Sequence, residues 1–154
     1  MLVLLSKGFT LIELLVVIGI LSVLFSITLV AINPARQFAL ANNIQRRSDV
    51  KAILDGLYQY AADNHGVLPT GVPLEGTSTP IASLGGTGSG FCAAIVPTYI
   101  AILPQDPSGG AYTDCFDYST GYLIYVSTSS AGNTPRITIS APNAELEEDI
   151  TITR

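Results

Sequence analysis

The sequence predicts an α+β fold in which a long, kinked N-terminal α-helix, half transmembrane and half amphipathic, packs on a small antiparallel β-sheet. Three features predict it. Residues 9–32 are almost wholly apolar, residues 35–64 carry an amphipathic helical pattern, and the C-terminal third contains short runs rich in β-branched and aromatic residues, which are typical of strands. The 154 residues accommodate one domain with an appendage rather than two full domains.

The composition limits which partners the protein can bind. Charged residues make up 12% of the chain, against about a quarter in an ordinary soluble domain, and the formal net charge is −5. Phosphate binding needs clustered Lys and Arg, so no nucleic acid is expected on the bulk of the surface. Arg46, Arg47 and Lys51 do cluster, but Asp49 and Asp55 lie among them, which favours a solvated, mixed-charge helix face.

The N-terminal segment is predicted to span a membrane. No ionisable side chain lies between Glu13 and Arg36. As a helix, residues 9–32 would extend about 36 Å, enough to cross a hydrocarbon core of about 30 Å. Apolar side chains fall on every face of such a helix, which excludes an amphipathic helix lying on the membrane surface.

The charges beside the span give little help with its orientation. Arg36, Arg46 and Arg47 on the far side outnumber Lys7, and the positive-inside rule alone would place the C-terminal part in the cytoplasm. The extracellular character of the C-terminal half and the residues around Glu13 favour the opposite orientation.

The span has two simpler interpretations. A secretory signal peptide could be cut at the small residues of 39–41, but the apolar core is too long for one. In addition, Asn33, Pro34 and Arg36 place that site farther from the apolar core than a signal-peptide cleavage site usually lies. An uncleaved membrane anchor would leave Glu13 unexplained.

Glu13 is the most informative residue of the chain, because a carboxylate within a spanning segment costs a few kcal/mol and normally implies a partner. It lies one helical turn after Phe9, and the polar, flexible residues 6–8 precede Phe9. Cutting between Gly8 and Phe9 would create an α-ammonium group close to Glu13, on the same chain or a neighbouring one. The two charges would neutralise each other only in the correct stagger, so Glu13 would fix the register of helix assembly.

Residues 6–14, SKGFTLIEL, resemble the cleavage and methylation motif of type IV prepilins and type II secretion pseudopilins. The resemblance implies that the prepilin peptidase, a membrane aspartyl peptidase, removes a leader ending at Gly8 on the cytoplasmic face. It further implies that the new N-terminal residue, Phe9, is N-methylated and that Glu13 aids assembly.

The same resemblance implies a pilin fold and a structural role, as a subunit of a type IV pilus or pseudopilus filament. The expected partners are copies of the chain in a helical filament, the inner-membrane pilus assembly machinery, the prepilin peptidase and, before assembly, membrane lipid. The protein would be a single-pass protein of the cytoplasmic membrane, with its C-terminal domain outside the cytoplasm, and would then enter an extracellular or periplasmic filament.

Four segments are expected on this interpretation: a leader at 1–8, a transmembrane assembly helix at 9–33, an amphipathic helix at 34–65, and a loop and sheet region at 66–154. A minor pilin that serves as a binding module at a filament tip, for adhesion or DNA uptake, remains an alternative. An enzyme on a membrane stalk is disfavoured, because the sequence has no Gly-x-Ser-x-Gly elbow and no His-rich metal set. No catalytic residue and no cofactor is therefore predicted.

The second helix has a recognisable start, core face and stop. Asn33 as N-cap with Pro34 at the first helical position predicts a helix restart or a kink. One apolar stripe falls on residues at helical spacing: Val50, Ile53, Leu54, Leu57 and Ala61. His65 and Gly66 follow as a C-terminal stop, with Gly66 available for a left-handed cap and His65 expected on the surface.

Beyond this helix the sequence predicts a loop and then strands. Residues 70–90, rich in Gly, Ser, Thr and Pro, are predicted to form a long surface loop. The glycine-rich part at 85–90 lacks the Lys-Ser/Thr that a nucleotide site needs, and no helix pattern of the right kind for such a site follows it. Strands are predicted at 122–126, 136–140 and 149–153, with Gly132 and Asn133 in the turn between the first two.

Cys92 and Cys115 are both in the C-terminal half, where an even count makes one disulfide the default outside the cytoplasm and unpaired buried thiols the expectation in the cytosol. Many pilins carry a disulfide that staples a C-terminal loop, so the resemblance implies a Cys92–Cys115 bond worth about 3 kcal/mol. Asp106, Asp114 and Asp117 match no calcium-ligand spacing, which favours solvated loop carboxylates.

Overall fold

The structure is a computed structural model that describes residues 8–73, 75–128 and 135–154. Within them the chain forms helices α1 (Leu11–Ile32), α2 (Pro34–Asp63) and α3 (Gly88–Ile95), and strands β1 (Ser78–Ala82), β2 (Ala111–Asp114), β3 (Asp117–Thr128), β4 (Pro135–Ser140) and β5 (Thr151–Thr153). A long apolar N-terminal helix and a small antiparallel sheet confirm the predicted α+β class. The chain divides into two compact units, Met1–Phe38 and Ala39–Arg154.

In the first unit, α1 is long and apolar enough to cross a membrane. Its mean hydropathy reaches 2.9, and none of the side chains in this window is buried within the chain. The hydroxyl groups of Ser22, Ser26 and Thr28 donate to backbone carbonyls one turn earlier, over 2.7, 2.9 and 2.8 Å. These hydroxyls therefore need no water, which suits an apolar solvent.

The predicted helix restart is confirmed. Asn33 has a left-handed backbone with φ 47°, which ends α1. Both its backbone carbonyl and its side-chain oxygen accept from the N–H of Arg36, over 3.1 and 3.3 Å. Asn33 thus caps α2, and Pro34 occupies the first helical position, where its missing N–H costs nothing.

The second unit is built on an antiparallel sheet of order β1-β3-β4-β5, with β2 also paired to β3. Tyr122, Ile124 and Val126 of β3 are buried, whereas Tyr125 between them is exposed, as expected for a sheet covered on one face. Four residues of the predicted apolar stripe of α2 join these side chains in the core: Val50, Ile53, Leu54 and Leu57. All five stripe residues are buried: Val50, Ile53, Leu54, Leu57 and Ala61.

The predicted stop of α2 is confirmed as well. The helix ends at Asp63, and His65 and Gly66 have φ angles of 58° and 86°. The N–H of Gly66 donates to the carbonyl of Ala61 over 2.7 Å, a bond typical of a Schellman cap. His65 is exposed, as expected for a surface residue.

The prediction of a continuous surface loop at 70–90 is wrong. This stretch contains β1, which pairs with β3, and the first residues of α3. The local sequence gives only a weak preference for a helix here, because α3 is only eight residues long and begins Gly-Ser-Gly. The helix is therefore stabilised by burial of Phe91, Cys92 and Ile95.

The other strands differ from the prediction at their ends. Strand β3 begins at Asp117, before the predicted start at 122, β5 is shorter than the predicted 149–153, and β2 was not predicted. Strand β4 begins one residue earlier than the predicted 136. The predicted turn at Gly132 and Asn133 lies outside the described residues.

The predicted disulfide is present. Cys92 in α3 is bonded to Cys115 in the turn between β2 and β3, with Cα atoms 5.3 Å apart. Cys92 is fully buried. The bond therefore ties the turn to the interior of the second unit.

Truncating a core residue of α2 tests the packing of helix on sheet. Leu57 is fully buried and Ile44, on the same helix, is 68% exposed. We expect Leu57→Ala to lower the free energy of unfolding by about 2–5 kcal/mol and Ile44→Ala to change it by less than about 0.5 kcal/mol. Chemical denaturation of the detergent-solubilised chain measures both; equal losses would contradict the assigned core face.

Candidate functional site

The predicted processing residues lie together at the N-terminal end of α1. Gly8 and Phe9 precede the helix without regular structure, and the Phe9 side chain is 78% exposed. Among the described residues, and leaving out its neighbours in the chain, nothing lies within 4 Å of the position that a Cβ on Gly8 would occupy.

Thr10 fixes where α1 begins. Its backbone is extended, and its hydroxyl accepts from the backbone N–H of Glu13 over 3.3 Å. A Thr followed three residues later by Glu is the spacing of a capping box, which sequence reasoning did not use. The cap places Glu13 in the first helical turn, where the helix dipole favours a negative charge.

The carboxylate of Glu13 is exposed and has no hydrogen-bond or ion-pair partner among the described residues. It is also the one acidic residue that α1 contains. An ammonium group created at Phe9 would lie about one helical turn away along the chain. The end of α1 can thus present an unneutralised acid and, after cleavage, an amine.

Farther along α1, small residues open grooves between larger side chains. Ser22 lies in a groove of about 410 Å³ with Ile18, Leu21 and Phe25. A second groove of about 520 Å³ is lined by small and apolar residues: Ser26, Ile27, Val30 and Ala31. Small residues let the backbone of another helix approach closely, so these grooves suit helix-to-helix packing.

The prediction that Arg46 lies on a solvated helix face is wrong. Its side chain is fully buried, and its Nε donates to Asp106 Oδ2 over 2.8 Å. Nη1 donates to Asn43 and Glu145 over 2.9 and 3.2 Å, and Nη2 donates to Asp106 and Ser108 over 3.3 and 2.9 Å. All five guanidinium hydrogens therefore have acceptors, as a buried charge requires.

Asp106 is likewise not a solvated loop carboxylate, because it is 2% exposed. Burial on its own raises the pKa of this carboxyl, but the hydrogen bonds from Arg46 and Ser108 outweigh it and hold the pKa below its usual range. The predicted solvent exposure does hold for Asp114 and Asp117. Among the described residues, no group of three or more His, Cys, Asp or Glu could hold a metal ion.

A second buried acid lies beside this network. Asp49 is 5% exposed and accepts from the Tyr122 hydroxyl over 2.8 Å and from Gln45 over 2.7 Å. Burial raises the pKa of the Asp49 carboxyl, although both hydrogen bonds oppose the rise. Burial also raises the pKa of the Tyr122 hydroxyl, and the adjacent Asp49 adds to it. These groups link α2 to β3.

The N-terminal residues also match a known family model. Residues 5–29 match the prokaryotic N-terminal methylation motif, which is the signature of type IV pilins and pseudopilins. Comparisons with curated proteins and with solved structures gave no match.

The protein is therefore pilin-like: it carries the N-terminal signature of type IV pilins and pseudopilins on an α+β fold with a long apolar N-terminal helix. Proteins with this motif are structural rather than enzymatic. The motif implies processing by the prepilin peptidase and assembly into pili.

Removing Arg46 tests how much the buried network stabilises the second unit. Arg46→Ala leaves Asp106 buried without its cation, and we expect the free energy of unfolding to fall by about 3–5 kcal/mol. Arg47 is the matched control, because its ion pair with Glu148 is exposed and Arg47→Ala should cost about 1 kcal/mol or less. Chemical denaturation compares the two; an Arg46→Ala chain as stable as Arg47→Ala would contradict the network's role.

Proposed function

We propose that this chain is a structural subunit of a type IV pilus or pseudopilus filament, processed between Gly8 and Phe9 and polymerised through α1. The observation that carries the proposal is Glu13, an acid that has no partner among the described residues and lies at the end of a helix whose other side chains are almost all apolar. The match to the methylation motif covers residues 5–29, which include Glu13 and the proposed cleavage point.

The proposed cleavage supplies the missing partner. Hydrolysis of the bond between Gly8 and Phe9 releases residues 1–8 and leaves an α-ammonium group on Phe9, which N-methylation keeps basic. If two α1 helices are offset by about four residues, or about 6 Å, the amine of one copy lies level with Glu13 of the next. Leaving either charge unpaired in an apolar bundle costs several kcal/mol, so pairing selects this offset.

The surface of α1 supports contact between copies over most of its length. None of its residues is buried within the chain. In a membrane, lipid would cover this surface. In a filament, other copies of α1 would cover it. The grooves beside Ser22 and Ser26 provide room for a neighbouring helix.

The second unit would lie outside the cytoplasm. The Cys92–Cys115 disulfide supports this orientation, since such bonds persist in oxidising compartments and are rare in the cytosol. The chain would first be a single-pass protein of the cytoplasmic membrane, there meeting the prepilin peptidase and the inner-membrane assembly machinery, and would then enter the filament. Residues 1–8 would be the leader, 9–33 the assembly helix and 34–154 the part outside the membrane.

Replacement of Glu13 tests this function. We expect Glu13→Gln and Glu13→Ala to reduce the amount of filament sheared from cells by at least about tenfold, because the Phe9 amine loses its acid. Thr28→Val is the control: it removes a polar group that is already satisfied within α1 and that lines neither groove, and filaments should persist. Immunoblotting and electron microscopy of the sheared fraction measure both.

The mature N-terminus separates assembly from processing in the same experiment. Mass spectrometry of the Glu13→Gln protein should still find N-methyl-Phe9 as the first residue, so that the defect lies after cleavage. Undiminished filaments in the Glu13 variants would contradict the proposal, and so would a native mature chain that begins at Met1 or at Asn42.

A further inference from the structure

The helix α1 begins just short of the proposed cleavage point. Only Phe9 and Thr10 separate the bond between Gly8 and Phe9 from the first helical residue, Leu11. In an α-helix each carbonyl accepts from the N–H four residues later, so a helix that began one turn earlier would use the carbonyls of both Gly8 and Phe9. Among the described residues no backbone N–H donates to either carbonyl, whereas the carbonyl of Thr10 accepts from Leu14 over 3.3 Å.

The side chain of Thr10 sets this limit. Its hydroxyl accepts from the N–H of Glu13 over 3.3 Å, and this is the N–H that would donate to the carbonyl of Phe9 in a longer helix. The backbone of Thr10 is extended, with φ −84° and ψ 149°. An extended backbone and a side-chain oxygen on the third N–H of the helix define an N-cap. The hydroxyl thus replaces the Phe9 carbonyl as acceptor and leaves that carbonyl outside the helix.

Without this hydroxyl the helix would extend towards the cleavage point. The N–H groups of a first turn have no acceptor within their own helix, and an unsatisfied N–H is costly at the end of an apolar span. The carbonyl of Phe9 is the acceptor that a longer helix offers to the N–H of Glu13. Phe is tolerated in a helix, but Gly is unfavourable there, so Gly8 acts in the same direction as the cap. Both residues therefore disfavour a helix across the bond between Gly8 and Phe9.

Hydrolysis of this bond requires access to its backbone. Water adds its hydroxyl group to the carbonyl carbon of Gly8 and a proton to the nitrogen of Phe9, the C–N bond breaks, and a carboxylate and an ammonium group result. A peptidase has to bind the chain on both sides of that bond. An extended segment offers free N–H and C=O groups to a binding cleft, whereas a helix uses the same groups internally. The conformation outside the helix is therefore the one suited to cleavage.

We propose that Thr10 is a positioning residue for the cleavage: by capping α1 through its hydroxyl, it keeps the bond between Gly8 and Phe9 outside the helix, in the extended form that a peptidase binds. The proposal rests on the proposed function, in which the prepilin peptidase cuts this bond. It adds that the point where α1 begins determines how well the peptidase binds the chain. Thr10 acts on the conformation of the substrate and not on the reacting atoms.

Substitutions of Thr10 separate the cap from the shape of the side chain. Val has nearly the shape of Thr but no acceptor, whereas Ser and Asn differ in shape and cap helices at least as well. We expect Thr10→Val to raise the KM for cleavage of the detergent-solubilised full-length chain by about two- to fivefold with kcat unchanged, because a smaller fraction of the substrate is competent to bind. Thr10→Ser and Thr10→Asn should be cleaved like the native chain.

Thr28→Val is the matched control for the cleavage assay. It makes the same substitution within α1, at a hydroxyl that donates to the carbonyl of Phe25 over 2.8 Å and caps nothing. Its KM and kcat should equal those of the native chain. Assaying cleavage with purified prepilin peptidase, and not the yield of filament, keeps any later effect on Glu13 out of the measurement.

NMR of the uncleaved chain tests the conformation directly. With ¹³C at the Cα of Phe, the Phe9 resonance should have an extended chemical shift in the native, Thr10→Ser and Thr10→Asn chains, and should move towards the helical value in Thr10→Val. A helical shift for Phe9 in the native chain would overturn the proposal, as would an unchanged shift in Thr10→Val.

The kinetic outcomes also distinguish this inference from the proposed function. Cleavage of Thr10→Val with the native KM would overturn the positioning role, and so would slow cleavage of Thr10→Ser and Thr10→Asn. A fall in kcat without a rise in KM would contradict it too, because the peptidase would then contact Thr10 itself. If the native chain is cut between Gly8 and Phe9 in these cases, the positioning role alone fails. If the native chain is not cut there, the proposed function fails and the positioning role fails with it.

Discussion

The arrangement of the first unit depends on one electrostatic constraint. A carboxylate in the first turn of an apolar helix needs a cation, and the described residues provide none for Glu13. Hydrophobic packing alone is tolerant of sliding, because one apolar surface contacts another about equally well at several offsets. A buried charge pair does not tolerate sliding, since each misaligned copy leaves two charges unpaired. Glu13 and the proposed amine of Phe9 would therefore set the stagger, while the grooves along α1 would set how closely helices approach.

The second unit is stabilised by a different set of interactions. Ion pairs join Arg46 of α2 to Asp106 and Glu145. A hydrogen bond from Tyr122 to Asp49 joins the same helix to β3. The disulfide ties α3 to the turn before β3. These contacts all lie within the second unit, so its fold has its own core and its own polar network. A change at Glu13 should therefore affect assembly without unfolding this unit.

Sequence reasoning succeeded where the pattern is local. The apolar span, the Asn33 cap, the stripe of α2 and the stop at His65 and Gly66 each depend on neighbouring residues, and the structure contains all of them. The roles expected for Gly8 and Phe9 in processing and for Glu13 in assembly also depend on a short motif, and they stay predictions. Strand β1 and helix α3 were missed, because residues 78–95 take their structure from pairing with β3 and from burial in the core rather than from propensity.

The misreading of Arg46 has a specific physical cause. Arg46 precedes Val50, Ile53 and Leu57 by four, seven and eleven residues, so it lies on the core face of α2 and not on the solvated face. That spacing was visible in the sequence, but its buried partner, Asp106, is 60 residues away along the chain. A charge on an apolar stripe predicts a buried partner; only the fold identifies which acid it is.

The most direct test of the central claim is a distance between two atoms of different copies. Filaments would be grown from a mixture of chains labelled with ¹⁵N at Phe and chains labelled with ¹³C at the Glu carboxyl, and studied by solid-state NMR. The N-terminal amine of Phe9 resonates apart from the amide nitrogens, so its contacts can be observed separately. The account predicts a dipolar coupling between this nitrogen and a Glu13 carboxyl carbon at about 4 Å, the range of an ion pair. Assembled filaments without that coupling would contradict it.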